Sequence, residues 1–201
     1  MPTTTINLPL LGTMAGFRRF TVGEYHRLTE LGILTEDDNL ELLEGYLVLK
    51  MARNPPHDGT LHRTLKRLAR DLPPGWDVRI QAAVTLADSE PEPDLAVVRD
   101  DPDGYTTRHP GPADVGLVIE VADSTLAGDR ADKGRIYARA GIPWYWIINL
   151  PDRQVEVYSS PSGPTGAPAY AQRKDYQPGD AVALTLSSAV VASIPVQDLL
   201  P

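Results

Sequence analysis

The chain has 201 residues, 42% hydrophobic and 23% charged, which suits one packed domain and excludes wholesale disorder; its 16 glycines and 19 prolines follow no period and exclude a collagen-like chain. The absence of cysteine excludes a disulfide framework, a thiolate metal site and a cysteine nucleophile, and a net charge of -8 excludes coating nucleic acid through overall charge. No apolar run reaches the ~20 residues of a membrane span and the first residues lack a secretory pattern, so the expectation is a cytoplasmic protein without membrane contact.

Residues 1–16 show neither a helical nor a strand period and are expected to form a flexible arm ahead of a single domain over 17–201. Thr21-x-x-Glu24 has capping-box spacing, and Tyr25, Leu28 and Leu31 continue it as a short helix ending at Gly32. Leu40–Glu44 and Tyr46–Met51 flank Gly45 as a hairpin, followed by an Asn54-Pro55-Pro56 break. From Gly59 to Leu72, Leu61, Leu65, Leu68 and Leu72 share one helical face, and Arg63, Lys66, Arg67 and Arg70 occupy the others as a possible contact for backbone phosphates. Trp76–Ile80, Ala83–Leu86, Leu95–Val98 and Val115–Val121 read as strands, the last two apolar enough to be central. A helix over Asp129–Ala140 precedes a buried strand, Trp144–Asn149, in which one of the alternating pairs Trp144/Trp146 and Tyr145/Ile147 should enter the core. Val155–Tyr158, Tyr170–Tyr176 and Ala181–Leu184 complete the pattern as an antiparallel meander. The whole is α/β: a mixed central sheet with helices on its faces and extra antiparallel strands.

Neither a Gly-x-Ser-x-Gly elbow nor a phosphate-cradling glycine loop occurs, so carboxylates are the candidates for chemistry. Asp94 precedes an apolar strand, and Glu120 lies inside one, where an acid costs several kcal/mol unless paired, protonated or bound to a cation. Two such acids at neighbouring strand ends are hard oxygen ligands suited to Mg²⁺ or Mn²⁺. A basic neighbour would satisfy Glu120 equally well. Lys133, on the following helix, is placed to return over the strand end and stabilise charge on phosphorus; read alone it is a surface lysine.

Glu41-Leu42-Leu43-Glu44-Gly45, His57, Pro93-Asp94-Leu95, Leu117–Val121, Asp129-Arg130-x-x-Lys133 with Tyr137, and Ala140–Ile147 occur in this order. The ordered set, over about residues 20 to 185, resembles the Uma-type family of endonuclease-like proteins, within the restriction-endonuclease-like superfamily named for its Pro-Asp…(Asp/Glu)-x-Lys signature. The resemblance implies a restriction-endonuclease-like sheet and a metal-dependent phosphodiesterase site. By it Asp94 and Glu120 would hold the metal, the carbonyl of Val121 would add a third oxygen, Glu41 or Glu44 would be an accessory acid, and His57 would touch metal-bound water or phosphate. Ala122 stands where the signature has lysine, so that role passes to Lys133.

The function expected is an endonuclease acting through a metal-activated water on nucleic acid, with DNA as the first substrate. A homodimer follows from the need for two sites to cut both strands. The rival readings are a catalytically inactive nuclease-like module that binds nucleic acid or protein, and a metal-dependent hydrolase of small phosphate esters.

Overall fold

The computed structural model describes residues 17–201; the arm expected over 1–16 lies outside them. Helix α1, Val22–Glu30, opens on the expected capping box, in which Glu24 N–H donates to Thr21 Oγ1 at 3.2 Å and Thr21 N–H to Glu24 Oε2 at 3.0 Å. Strands β1 (Leu40–Leu43) and β2 (Tyr46–Leu49) form a hairpin whose two central residues, Glu44 and Gly45, both have positive φ, the geometry that matches strand twist. Helix α2, Pro55–Asp71, starts earlier than its leucine spacing suggests. The Asn54-Pro55-Pro56 segment is the helix start and not a break: Asn54 accepts from His57 N–H at 3.1 Å, and the prolines occupy the first turn, where no amide is needed.

The central sheet has six strands in the order β3 (Trp76–Ile80), β4 (Leu95–Arg99), β5 (Val115–Ala122), β6 (Trp144–Asn149), β7 (Gln154–Pro161), β8 (Tyr170–Tyr176). Only β5 and β6 are parallel, and the helix that joins them, α3, runs as Leu126–Gly128, a π turn Asp129–Lys133, and Gly134–Ala140. Every residue of β5 is buried because both faces of the sheet are covered. Leu117, Ile119 and Val121 pack with α2 in one core, while Val118 and Ala122 face α3 in the other. The same division resolves β6, where Trp146 enters the first core and Tyr145 and Ile147 the second, so both alternating pairs contribute. Among the described residues no helix is long and apolar enough to cross a membrane.

Two expected strands are corrected. Ala83–Leu86 joins no ladder: Val84 N–H donates to the Pro91 carbonyl and Thr85 N–H to the Pro110 carbonyl, and prolines have no N–H with which to reciprocate. The third meander strand, β9 (Ala181–Leu186), leaves the sheet to pair with β10 (Ala189–Pro195), and this hairpin caps the first core through Val182, Leu184, Leu186 and Ile194.

β5 also shows how tight that core is. A Cβ at Gly116 would stand 2.6 Å from the Trp76 ring and 2.7 Å from Leu186 Cδ2. Gly116→Ala is expected to cost about 1–3 kcal/mol through overpacking. Urea unfolding should show a lower midpoint at unchanged slope.

Candidate active site

The register that sets Leu95 against Ile119 brings Asp94, just before β4, abreast of Glu120 on β5. Glu120 points to the α3 side, in the row Glu120–Ile147–Glu156 across β5, β6 and β7. Helix α3 answers that row with cations. Arg130 pairs with the fully buried Glu156, and Lys133 Nζ lies 3.0 Å from Glu120 Oε1, the atom that also accepts from Tyr137 Oη at 2.8 Å. Asp129, Lys133 and Tyr137 are spaced by four, and Lys133 and Tyr137 meet on this one carboxylate.

Asp94 is held on the other side of the pair. Its Oδ2 accepts from Val121 N–H at 2.9 Å and lies 3.0 Å from His57 Nε2, while its own N–H points to Glu120 Oε2 at 3.4 Å. His57 reaches Asp94 because the Asn54 cap fixes the first turn of α2 beside the strand end. Glu41 comes in from β1; its Oε1 is 3.7 Å from Lys133 Nζ, and its Oε2 accepts from Glu92 N–H at 3.1 Å. Thus Glu41, His57, Asp94, Glu120, Val121 and Lys133 line one cavity of about 560 Å³.

Charge governs this cavity. Burial pushes the Glu120 carboxyl up to about 8; Lys133 opposes that shift, and Asp94, Asp129 and Glu41 add to it. For Lys133 burial would favour the neutral amine, but Glu120, Glu41 and Asp129 together outweigh it and hold the ammonium charged. His57 is likewise raised above an ordinary histidine, because Asp94 and Asp58 overcome the penalty of burial.

Two residues that the sequence placed in the ordered set without a role stand at the cavity. Asp129, in the π turn, is 5% exposed and lines the cavity, and Tyr137 is fully buried against Glu120. The four-residue spacing to Lys133 was the signal for both. Glu44, by contrast, lies outside: Arg135 holds it with contacts of 3.1 and 2.7 Å, and Arg139 completes the clamp between the hairpin and α3. Of the two acids, Glu41 is the one that lines the cavity. Of the basic face on α2, Arg67 pairs with Asp71 and Asp198 and Arg70 with Asp71, whereas Arg63 and Lys66 are exposed without an ion-pair partner among the described residues.

Among the described residues no three acidic or histidine side chains are already gathered as a metal shell. The donor set nevertheless suits a hard divalent cation: seven carboxyl side chains line the cavity against the three cations Lys50, Arg53 and Lys133. Magnesium is commonly held by one or two carboxylates, with water and phosphate completing the shell, and Asp94 and Glu120 are such a pair.

A family model described as "Putative restriction endonuclease", Uma2, matches residues 22–197. The chain belongs to the Uma2 family. In fold it is similar to a crystal structure from Anabaena variabilis ATCC 29413 described as a "putative nuclease belonging to DUF820", with a TM-score of 0.65 and 18% identity over 86% of this chain and 96% of that one. No curated protein sequence matches the chain. The Uma2 match takes in every element from α1 to β10, and therefore every residue of the cavity.

The clamp on Glu44 has a measurable signature in this Uma2 chain. Arg135, with Arg139, outweighs burial and lowers the carboxyl from 4.5 to about 2. A folded value below the unfolded one means that the contribution is full above pH 4.5 and is lost as pH falls towards 2. Glu44→Gln is expected to cost about 2 kcal/mol at pH 7, less than the whole shift because water reaches the pair. Denaturant titrations should show the difference between wild type and variant shrinking below pH 4.5.

Proposed function

We propose that this Uma2 protein is a nuclease that hydrolyses phosphodiester bonds of nucleic acid, DNA being the first substrate to test, with Mg²⁺ or Mn²⁺ held by Asp94 and Glu120. The observation that carries this reading is the meeting of Asp94, Glu120 and Lys133, from three separate elements, at one cavity. A divalent cation held there would supply polarisation of a water for attack and would offset negative charge on the phosphate oxygens.

The chain's own residues have distinct parts. Val121 N–H and His57 Nε2 fix Asp94 Oδ2, presenting the carboxylate in one orientation. Tyr137 Oη and Lys133 Nζ fix Glu120 Oε1 in the same way. Lys133, kept protonated by its acidic neighbours, brings positive charge to the non-bridging oxygens of a phosphate. Glu41 is a positioning residue that holds Lys133 from the hairpin side. His57, with its proton favoured by Asp94, adds charge beside the phosphate and holds that proton at Nε2. The carbonyl of Val121 is proposed as a further ligand oxygen.

Asp94→Asn is the test, because it removes a charge while keeping size and hydrogen bonding. Calorimetric titration with Mn²⁺ should show binding in wild type and none in the variant, and cleavage of plasmid, single-stranded DNA or RNA should fall about a hundredfold or more. Equal Mn²⁺ affinity in both would overturn the metal assignment.

One observation favours a second reading, a nuclease-like module without catalysis: Lys133 already neutralises Glu120, leaving a self-satisfied ion cluster. Folded wild type with no activity on any of the three substrates would favour it. A homodimer in the cytoplasm remains part of the proposal. Light scattering at micromolar concentration should give twice the 21.9 kDa chain mass.

A further inference from the structure

The walls of the cavity differ in chemistry. On the hairpin side stand Val48, Leu49 and Met51, with exposures of 36%, 61% and 64%, apolar side chains left open to water, while Lys50 among them is paired with Glu92. On the α2 side stand His57, Gln81 and Arg53. A second hollow shares Arg53 and Gln81 with the first and continues past Asp58, which faces His57 Nδ1 at 3.4 Å, to His62, so the depression extends along α2. Beyond it, Lys66 lies one helical turn from His62, about 6 Å further along the axis, next to Arg63. His62, Arg63 and Lys66 are all exposed, and neither Arg63, Lys66 nor Arg53 has an ion-pair partner among the described residues.

The acids lie deep between these walls. The side chains of Glu120 and Glu41 are 5% and 7% exposed, Asp94 14% and Lys133 15%. A double helix is a stiff rod with a persistence length of about 50 nm, carrying its phosphates on a convex surface and its bases stacked inside. Such a rod reaches acids this deep only by distorting, and its stacked bases offer no faces to an apolar wall. A single strand meets both demands, since its backbone bends and its bases are free to lie against leucine and methionine.

We propose that this groove takes single-stranded nucleic acid, with bases against Val48, Leu49 and Met51 and phosphates led along Lys66, His62 and Arg53 to the carboxylates. The assignment rests on the nuclease reading above and narrows it to unpaired strands. Apolar side chains pack on the face of any base and so make contact without sequence reading, and the acidic floor makes a divalent cation necessary for phosphate to approach.

The test uses the full chain with fluorescently labelled dT12, U12 and a 12-base-pair duplex in Mg²⁺, read by anisotropy. The expected result is at least tenfold tighter binding of one or both single strands than of the duplex, the dT12 and U12 arms telling DNA from RNA. Leu49→Ser with Met51→Ser, both at exposed positions, should remove most of that preference. Lys66→Ala should weaken binding and lower the salt slope by about one phosphate contact. Duplex bound as tightly as the strands, a preference unchanged in the serine variant, or no binding of any probe would overturn the groove assignment. Hydrolysis of bis(p-nitrophenyl) phosphate by wild type in Mn²⁺ separates the two levels: turnover lost in Asp94→Asn alongside equal strand and duplex binding would leave the chemistry standing and remove only the strand preference.

Discussion

One ammonium holds this site together. Lys133 lies within 3.0 Å of Glu120 and 3.7 Å of Glu41, and Asp129 acts on it as well, all in a region where water is largely excluded. Several kcal/mol oppose placing each of those charges there alone, so the acids and the lysine are tolerable only as a group. The grouping also fixes geometry. A carboxylate that must keep facing an ammonium and a tyrosine hydroxyl cannot swing away, and the preorganisation that the proposed phosphoryl chemistry calls for then follows from the demands of burial.

The fold supplies that contact through helix α3. Its docking depends on ion pairs at three heights, Arg130 to Glu156, Lys133 to Glu120, and Arg135 with Arg139 to Glu44, as well as on the packing of Ile136 and Tyr137 into the second core. The π turn at Asp129–Lys133 sits at the point where the helix meets the strand end. An extra residue in a turn displaces the side chains that follow it, and such turns recur at functional sites for that reason. Across the sheet, the crossover from β5 to β6 needs a helix because parallel neighbours cannot be joined by a tight turn. The connection that topology requires is thus the one that carries the lysine.

What was legible in the sequence divides along physical lines. Asp94 and Glu120 stood out because an acid beside or inside a β-rich apolar run conflicts with its surroundings, and the strands Leu95–Val98 and Val115–Val121 stood out by the same composition. Glu41 and Glu44 could not be separated, since the choice rests on a hairpin turn: Glu41 is directed to the cavity by strand pairing, and Glu44, at the turn itself with φ 50°, meets the arginines of α3. The β9–β10 hairpin escaped because its turn is Ser187-Ser188, both at positive φ, without the glycine or asparagine that normally marks it. Asn54-Pro55-Pro56 carries two opposite signals, a breaker and a helix start, and only the His57 amide reaching Asn54 decides between them.

That last choice reaches the chemistry. Because α2 begins at Pro55 and not at Gly59, His57 belongs to its first turn, close enough to Asp94 for a 3.0 Å contact, and His62 and Lys66 then follow on the exposed side. A later start would leave His57 in a loop and detach the helix from the cavity. As built, one helix delivers a histidine to the carboxylate pair at one end and unpaired positive charge at Arg63 and Lys66. The hairpin side opposite delivers one acid, Glu41, a lysine, Lys50, already paired with Glu92, and apolar side chains. A chain with net charge -8 has no general attraction for phosphate. What attraction it has must come from such local asymmetry, within about a Debye length of 8–10 Å at ordinary salt, and the α2 side of the groove is where these residues concentrate it.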